Sequence, residues 1–439
     1  MAQYFQKFTD ILAYLETLGL FHMDLSLARI SRVLGHLKLL DPPFYVVQIV
    51  GTNGKGSTAS FLAALCQAHG LRAGLYTSPH FVQPTERIKV CGRDIASSMW
   101  VESANYVREL GPDLTYFEFL TVLALLFFKA QQIDVAILEA GLGGAHDATT
   151  AVRADIIAYT PIALDHQNIL GQGLASIAKD KACAIRGKAQ VYTVDQYPVA
   201  AKYLAKACAK EGIILGSAPI LEPSLRDAIG LFGQHQYVNA GLALKVFQAM
   251  AQDLKLGVKR DLVELALRQT FIPGRLQHVA ASENYPDMLL DGGHNPHGMQ
   301  TMLQALRHKV RPQAIVYAGL ADKDWRAVLR ILAQEFRGAV PIYFPSINNP
   351  RAASAREVCA AWGEKQIDAP LTIGPLLKQL RQAHVATFER PVLVTGSLYL
   401  LAEIYALFEN LLVAPNLPGS IWTDTWLKSF GKEAFLLEP

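Results

Sequence analysis

Residues 45–58 read Tyr45-Val46-Val47-Gln48-Ile49-Val50-Gly51-Thr52-Asn53-Gly54-Lys55-Gly56-Ser57-Thr58. The first six are apolar or β-branched except Gln48, which suits a strand covered on both faces. Beyond the glycines, Phe61, Leu62, Leu65 and Cys66 recur at helical spacing as far as Gly70. Strand, glycine loop and helix together form the context in which a phosphate-binding loop works. Glycines let backbone N–H groups crowd around phosphate oxygens, the helix N-terminus adds positive potential, and a lysine reaches the outer phosphates. The spacing departs from the usual signature twice. No glycine stands five places before Gly54, and Gly56 separates Lys55 from Ser57. A plain glycine turn with a surface lysine is the alternative, and the flanking strand and helix argue against it. The residues Gly51, Thr52, Asn53, Gly54, Lys55, Gly56, Ser57 and Thr58 are expected to bind a nucleoside triphosphate.

Outward from this loop the same design repeats. Val135 to Leu138 ends in Glu139 and a Gly141-Leu142-Gly143-Gly144 turn, and Ile156 to Leu164 ends in Asp165-His166. Met288 to Leu290 ends in Asp291-Gly292-Gly293-His294-Asn295, Ala314 to Ala318 leads to Asp322-Lys323-Asp324, and Val392 to Val394 ends in Thr395-Gly396-Ser397. Apolar strands alternating with amphipathic helices imply parallel sheets covered on both sides, with ligands beyond the carboxyl ends of the strands. The alternation restarts after Pro273-Gly274-Arg275. The predicted architecture is α/β in two domains. Residues 1–275 form a P-loop mononucleotide-binding parallel-sheet domain, and residues 276–439 a smaller Rossmann-like α/β domain. The cleft between them is the expected ligand site. From Pro415 the sequence is irregular and suggests no role.

The bulk of the chain agrees. A chain of 439 residues suits two cores, and 51% hydrophobic against 18% charged residues excludes disorder. The net charge of +3, without basic runs, gives no reason to expect nucleic acid. Five scattered cysteines without paired spacing exclude a disulfide framework or zinc site and fit a reducing cytoplasm. Phe5, Phe8, Ile11, Leu12 and Leu15, interspersed with Lys7, Asp10 and Glu16, read as an amphipathic helix rather than a leader. The apolar run Phe119 to Phe128 is too short to cross a bilayer and reads as a buried helix.

Several polar residues could carry chemistry. Glu139, at a strand tip, could hold Mg2+ beside the phosphates or be an ordinary solvated carboxylate. His166 is by itself more in keeping with a structural hydrogen bonder, since magnesium prefers oxygen donors. Lys181, in Ile177-Ala178-Lys179-Asp180-Lys181-Ala182, reads by composition as a solvated surface lysine. Asp291 and His294, separated by two glycines, suit either close approach to a ligand or a tight turn with a capping aspartate. Thr77 to His80 is a turn with hydroxyls.

Taken together, these residues resemble the folylpolyglutamate synthase/dihydrofolate synthase family, within the Mur-type ATP-dependent amide ligases. The resemblance rests on Gly51 to Ser57, Tyr76 to His80, Glu86-Arg87-Ile88, Phe117-Glu118, Glu139 to Gly144, Asp147-Ala148-Thr149 and Leu164-Asp165-His166. It continues through Lys181-Ala182, Gly233 to Gln236, Asn239-Ala240, Pro273-Gly274-Arg275, Asp291 to Asn295, Asp322-Lys323-Asp324 and Thr395-Gly396-Ser397. Each match is weak alone, and the colinear set is specific.

The resemblance implies a set of roles. Lys55 and the loop amides hold ATP phosphates, and Ser78, Glu139 and His166 are magnesium ligands. Lys181 matches a lysine that the family carbamylates, against its surface reading by composition. Asn239 contacts the adenine side and Arg275 a phosphate, while Asp291 and His294 close the nucleotide site from the second domain. Phe117, Asp147 and Ala148 match the pterin-binding region. The implied substrates are ATP, L-glutamate, dihydropteroate and reduced folates, handled by a cytoplasmic monomer without membrane or nucleic-acid partners. The implied chemistry passes through an acyl phosphate.

Four positions depart from the family pattern. Ala145 replaces an arginine, Thr150 an asparagine, Gly293 an alanine and Cys183 a glycine. The first two border the pterin region and bear on substrate range. A synthase of one reaction only, a related Mur-type amino-acid ligase and a nucleotide-binding protein without ligase activity stand as alternatives. A GTP switch would need an Asn-Lys-x-Asp motif, and no Asn-Lys pair occurs.

Overall fold

The computed structural model describes residues 4–19, 26–307, 309–363, 371–383, 387 and 389–413. The irregular segment from Pro415 lies outside them. Eight strands build a first sheet: β1 (Tyr45–Val50), β2 (Ala73–Tyr76), β3 (Ile88–Val90), β4 (Arg93–Asp94), β5 (Val135–Glu139), β6 (Ile156–Tyr159), β7 (Gln190–Thr193) and β8 (Leu215–Ser217). Their order is β4-β3-β2-β5-β1-β6-β7-β8, parallel except for the antiparallel edge β2-β3-β4. Five strands build a second sheet: β9 (Gln277–Val279), β10 (Met288–Leu290), β11 (Ala314–Tyr317), β12 (Ile342–Tyr343) and β13 (Val392–Thr395). Their order is β12-β11-β13-β10-β9, with only β9 antiparallel.

The alternation of side chains explains why the strands are apolar throughout. Val135 and Ile137 face one core, and Ala136 and Leu138 the other. The helix Lys55–Ala68 packs with His235–Asp253 and Arg260–Gln269 on one face. On the other lie Phe8–Leu18, Ala28–Leu37, Ser97–Leu110 and Tyr116–Ala130. The last of these contains the apolar run 119–128, buried as its composition requires. Thr115 and Glu118 start it with a reciprocal capping box. The second sheet is likewise covered on both faces.

One expectation changes. The run Ile156 to Leu164 is a strand only to Tyr159. Pro161 has no N–H to offer a ladder, so the chain leaves the sheet there and residues 160–166 form a loop over the phosphate end. The turn Pro273-Gly274-Arg275 falls between the last helix on the first sheet and β9.

Candidate active site

β1 pairs with β5 on one side and β6 on the other, so the carboxyl ends of all three meet at one point. A cavity of about 670 Å³ opens there, walled opposite by Arg275, Asp291, Gly292, His294 and the helix Pro296–Leu306.

The loop after β1 is fastened under the loop after β6, because the Thr52 amide donates to the Pro161 carbonyl at 2.9 Å. Gly54 starts the next helix at φ +87°, and no side chain caps it. The Thr58 amide closes the first turn on the Gly54 carbonyl at 2.9 Å. The amides of Lys55, Gly56 and Ser57 therefore lie at the open helix end, where the dipole favours an anion. A Cβ on Gly54 would meet Asn239 Oδ1 at 2.3 Å, so only glycine lets the loop close on that helix. Asn239 is in turn held by Gln236 Oε1 at 2.9 Å. Residues 51–57 and Asn239 all line the cavity; Thr58 is buried behind it.

Glu139, ending β5, is buried, and the Ser78 amide donates to its Oε2 at 3.0 Å. Burial raises its pKa; the charges of Lys55, Arg275 and Arg87 oppose this. Among the described residues no cation forms an ion pair with it. A buried carboxylate with one hydrogen bond is short of positive partners, and its hard oxygens suit Mg2+. No three His, Cys, Asp or Glu side chains cluster as a ready metal site among the described residues. Ser78 lines the same wall and completes an oxygen-rich patch.

The composition-based reading of Lys181 as a surface lysine is overturned. It is 4% exposed, because its helix packs its Ile177-Ala178-Lys181-Ala182 face inward. Its Nζ donates to the Gly51 carbonyl at 2.7 Å. Burial and then the charge of Lys55 push its pKa down to about 7. A large share of the amine is therefore neutral near physiological pH.

Asp165 gathers three residues from the loops of the second sheet. Lys323 Nζ lies 2.6 Å from its Oδ1, Asn295 Nδ2 3.1 Å from its Oδ2, and His294 Nε2 3.5 Å away. Burial alone would raise its carboxyl, but the His294 hydrogen bond and the charges of His294, His166 and Lys323 hold it well below the carboxylate range. His166, at a left-handed φ of 51°, is pushed to about 3 by burial, and Lys323 Nζ donates to its Nε2 at 3.0 Å. That nitrogen can serve a metal only if Lys323 turns away. Asp291 accepts from the Leu276 and Gly293 amides at 3.0 and 2.9 Å, and burial raises its pKa against the charge of Arg275. His294 Nδ1 donates to the Gly292 carbonyl at 3.0 Å.

Phe117, Asp147 and Ala148 stand apart from this cavity wall. The Phe117 ring fills the space beside Gly141, where a Cβ would lie 2.7 Å from it. Asp147 accepts from the Leu142 amide at 2.9 Å and the Thr149 hydroxyl at 2.6 Å, which shapes the loop that reaches the cavity at Gly141 and Leu142. Gln48 Nε2 supports it from β1, bonding the Thr149 and Thr150 hydroxyls at 2.8 and 2.9 Å. Sequence reasoning assigned no role to Asp165, Lys323, Asn295, His235 or Gln48. The strand-tip position of Asp165 and the single polar residue in the β1 run were the available signals.

Residues 274–398 match the family model described as Mur ligase, glutamate ligase domain. The chain is 32% identical to the dihydrofolate synthase/folylpolyglutamate synthase of Escherichia coli (strain K12) over 414 residues, which is 90% of this chain and 93% of that one. Its fold matches E. coli FolC in complex with DHPP and ADP at a TM-score of 0.79 and 28% identity, covering 93% of this chain and 99% of that one. It also matches a bifunctional folylpolyglutamate synthase/dihydrofolate synthase with Mn, AMPPNP and L-glutamate bound, at a TM-score of 0.78 and 28% identity, covering 93% and 100%.

Proposed function

The chain belongs to the dihydrofolate synthase/folylpolyglutamate synthase family, and from that premise we propose that it is an ATP-dependent ligase joining L-glutamate to dihydropteroate and to the glutamate tail of reduced folates. The observation that carries the reading is the meeting at one cavity of an uncapped helix N-terminus, Lys55, the buried Glu139 and the low-pKa Lys181.

A carboxylate is a poor electrophile, and amide formation from it in water is uphill. In this reading the folate carboxylate attacks the γ-phosphorus of ATP, ADP leaves, and an acyl phosphate results. The glutamate amine then attacks the acyl carbon, a C–N bond forms, and phosphate departs with the former carboxylate oxygen. Lys55 and the amides at positions 55–57 hold the phosphates, and Asn239 sits on the base side. Arg275, Asp291 and His294 close the cavity from the second domain and exclude water from the acyl phosphate. Glu139, Ser78 and His166 would hold a divalent metal, which when bound neutralises charge on the transferring phosphoryl group. Lys181 serves as a carbamate. Its neutral amine adds to the carbon of CO2, a proton leaves, and the side chain ends in an anionic carbamate, which the charge of Lys55 would favour. Phe117, Asp147 and Ala148 shape the pterin side. We place the enzyme in the cytoplasm as a monomer, since one chain supplies both walls of the cavity. No described helix is long and apolar enough to cross a membrane.

The test is glutamate-dependent phosphate release from Mg-ATP, run in parallel with dihydropteroate and with a reduced folate. Release with both is expected. Release with one alone identifies a single-reaction synthase, and release with neither overturns the reading.

A further inference from the structure

The first half of the turn Gly141-Leu142-Gly143-Gly144 lines the cavity, and the second half lies against the helix Leu174–Ala182 that carries Lys181. Gly143 has a left-handed φ of 68°, and a Cβ there would lie 2.3 Å from Asp180 Oδ2 and 3.0 Å from the Leu170 side chain. A Cβ on Gly144 would lie 2.6 Å from the Lys181 carbonyl oxygen and 2.8 Å from its Cα. Those are backbone atoms and cannot turn aside. Only glycine lets the loop after β5 rest directly on the backbone of Lys181.

Polar groups fasten this junction from several sides. The Gly144 amide donates to Asp180 Oδ2 at 2.9 Å, and the Gly144 carbonyl accepts from the Thr150 hydroxyl at 2.8 Å. Arg186 donates through Nη2 to the Ala145 carbonyl at 2.9 Å and through Nε to the Cys183 carbonyl at 3.2 Å. The buried Tyr159 hydroxyl, at the end of β6, donates to the Lys181 carbonyl at 2.9 Å. Three of the four departures from the family pattern, Ala145, Thr150 and Cys183, thus fall on one junction. A guanidinium stands at position 145 although the residue there is alanine, and it comes from the Lys181 side.

The junction faces two ways. On one side Lys181 Nζ reaches the phosphate loop at the Gly51 carbonyl, 2.7 Å away. On the other, Gly141 and Leu142 line the cavity, and Asp147 holds the Leu142 amide at 2.9 Å. The contact between the two sides is backbone on backbone, so no flexible side chain is there to absorb a shift.

We propose that Asp180 is a positioning residue: its carboxylate clamps the Gly143-Gly144 turn to the backbone of Lys181, so that the amine and the loop 141–147 are set as one unit, with Arg186 holding the outer end. A carboxylate bonded to a backbone amide makes a hydrogen bond roughly twice as strong as a neutral one, which suits a clamp. The inference rests on the ligase reading above, because it ties the unit to turnover and to the pterin substrate.

The experiment uses the full chain with Asp180→Ala, Asp180→Asn and Arg186→Ala, saturating L-glutamate, and whichever of dihydropteroate or reduced folate supports wild-type turnover. Initial rates of phosphate release are measured against the pterin substrate and against Mg-ATP. Asp180→Ala lowers kcat about tenfold or more and raises the KM for the pterin substrate about fivefold or more. The KM for Mg-ATP stays within about twofold. Asp180→Asn keeps an oxygen for the Gly144 amide and returns both parameters to within about threefold of the wild type. Arg186→Ala moves both in the same direction by a smaller factor. A folded Asp180→Ala that loses only stability, with kcat and the pterin KM unchanged, overturns the proposal. A change in one parameter without the other means that the turn and Lys181 are set separately, and overturns it too. An Asp180→Asn as impaired as Asp180→Ala assigns the effect to charge rather than to the clamp, with the same consequence. If Asp180→Ala fails to fold, the exposed Arg186 decides, and an unchanged pterin KM in Arg186→Ala overturns the unit. A wild type without glutamate-dependent release overturns the ligase reading, and the proposal with it.

Discussion

Lys323, which follows β11 of the second sheet, and Asp165, in the loop after β6 of the first, form a buried ion pair, with Nζ 2.6 Å from Oδ1. Asp165 also accepts from Asn295, whose amide bonds Asn53 of the phosphate loop at 3.0 Å. One carboxylate thus ties the nucleotide loop to the opposite wall. Breaking a buried pair by removing one partner costs roughly 3–5 kcal/mol. Asp165→Asn should therefore lower turnover by about a hundredfold or more and speed limited proteolysis within residues 271–275. Unchanged cleavage and turnover would show that the seam is held elsewhere.

Lys181 should take up CO2. With a pKa near 7, its neutral fraction rises as pH climbs through neutrality, and only the neutral amine is nucleophilic. With ¹³C-labelled bicarbonate, a carbamate carbon resonance should appear, strengthen between pH 6 and 8 (both roughly one unit from that pKa), and vanish in Lys181→Ala. That variant should lose most activity and regain part of it with short carboxylic acids. Wild-type turnover without rescue would leave Lys181 as a structural hydrogen bonder to Gly51.

The layers of the fold were legible because burial on both faces writes itself as apolar runs such as Val135 to Leu138, and the phosphate loop because glycine and lysine are unusual after such a run. Lys181 was not legible from composition. Helix Leu174–Ala182 carries lysines at 179 and 181, and only packing decides that 181 turns inward. The network around Asp165 was invisible for a different reason. Its members lie about 130 to 160 residues apart and converge only when the second sheet docks. The stop of β6 at Tyr159 was readable from Pro161, a local rule that the apolar length of the run obscured.

Gln48 shows how the Thr150 departure is accommodated. The Thr150 hydroxyl donates to the Gly144 carbonyl at 2.8 Å while accepting from Gln48. Gln48→Leu removes the donor to two buried hydroxyls, and a lost buried partner costs about 1–3 kcal/mol. We expect a lower thermal midpoint and a KM for the pterin substrate raised about fivefold or more, with the KM for Mg-ATP unchanged. An unchanged pterin KM would separate this web from substrate binding.

Acid should weaken the fold through buried neutral histidines. Burial pushes His235 to about 4 and His80 to about 3, helped by the charges of Arg275 and Arg87. The unfolded chain protonates these rings first, near pH 6.5, so stability falls as pH drops from about 6.5 toward 4. The slope is at most about 1.4 kcal/mol per pH unit for each ring, less where water reaches it. Asp165, held below the carboxylate range, keeps its contribution throughout this window. Urea midpoints at pH 7.5 and 5 should differ accordingly, and His235→Gln should narrow the gap. Equal midpoints for the wild type would contradict the burial of neutral rings.

The most direct test of the central claim follows the oxygen. Dihydropteroate labelled with ¹⁸O in its carboxylate is turned over with L-glutamate and Mg-ATP, and the released phosphate is analysed by mass spectrometry. Activation as an acyl phosphate requires one labelled oxygen per phosphate, with ADP unlabelled. Unlabelled phosphate, or label recovered in AMP, would contradict phosphoryl transfer to the carboxylate in this cavity.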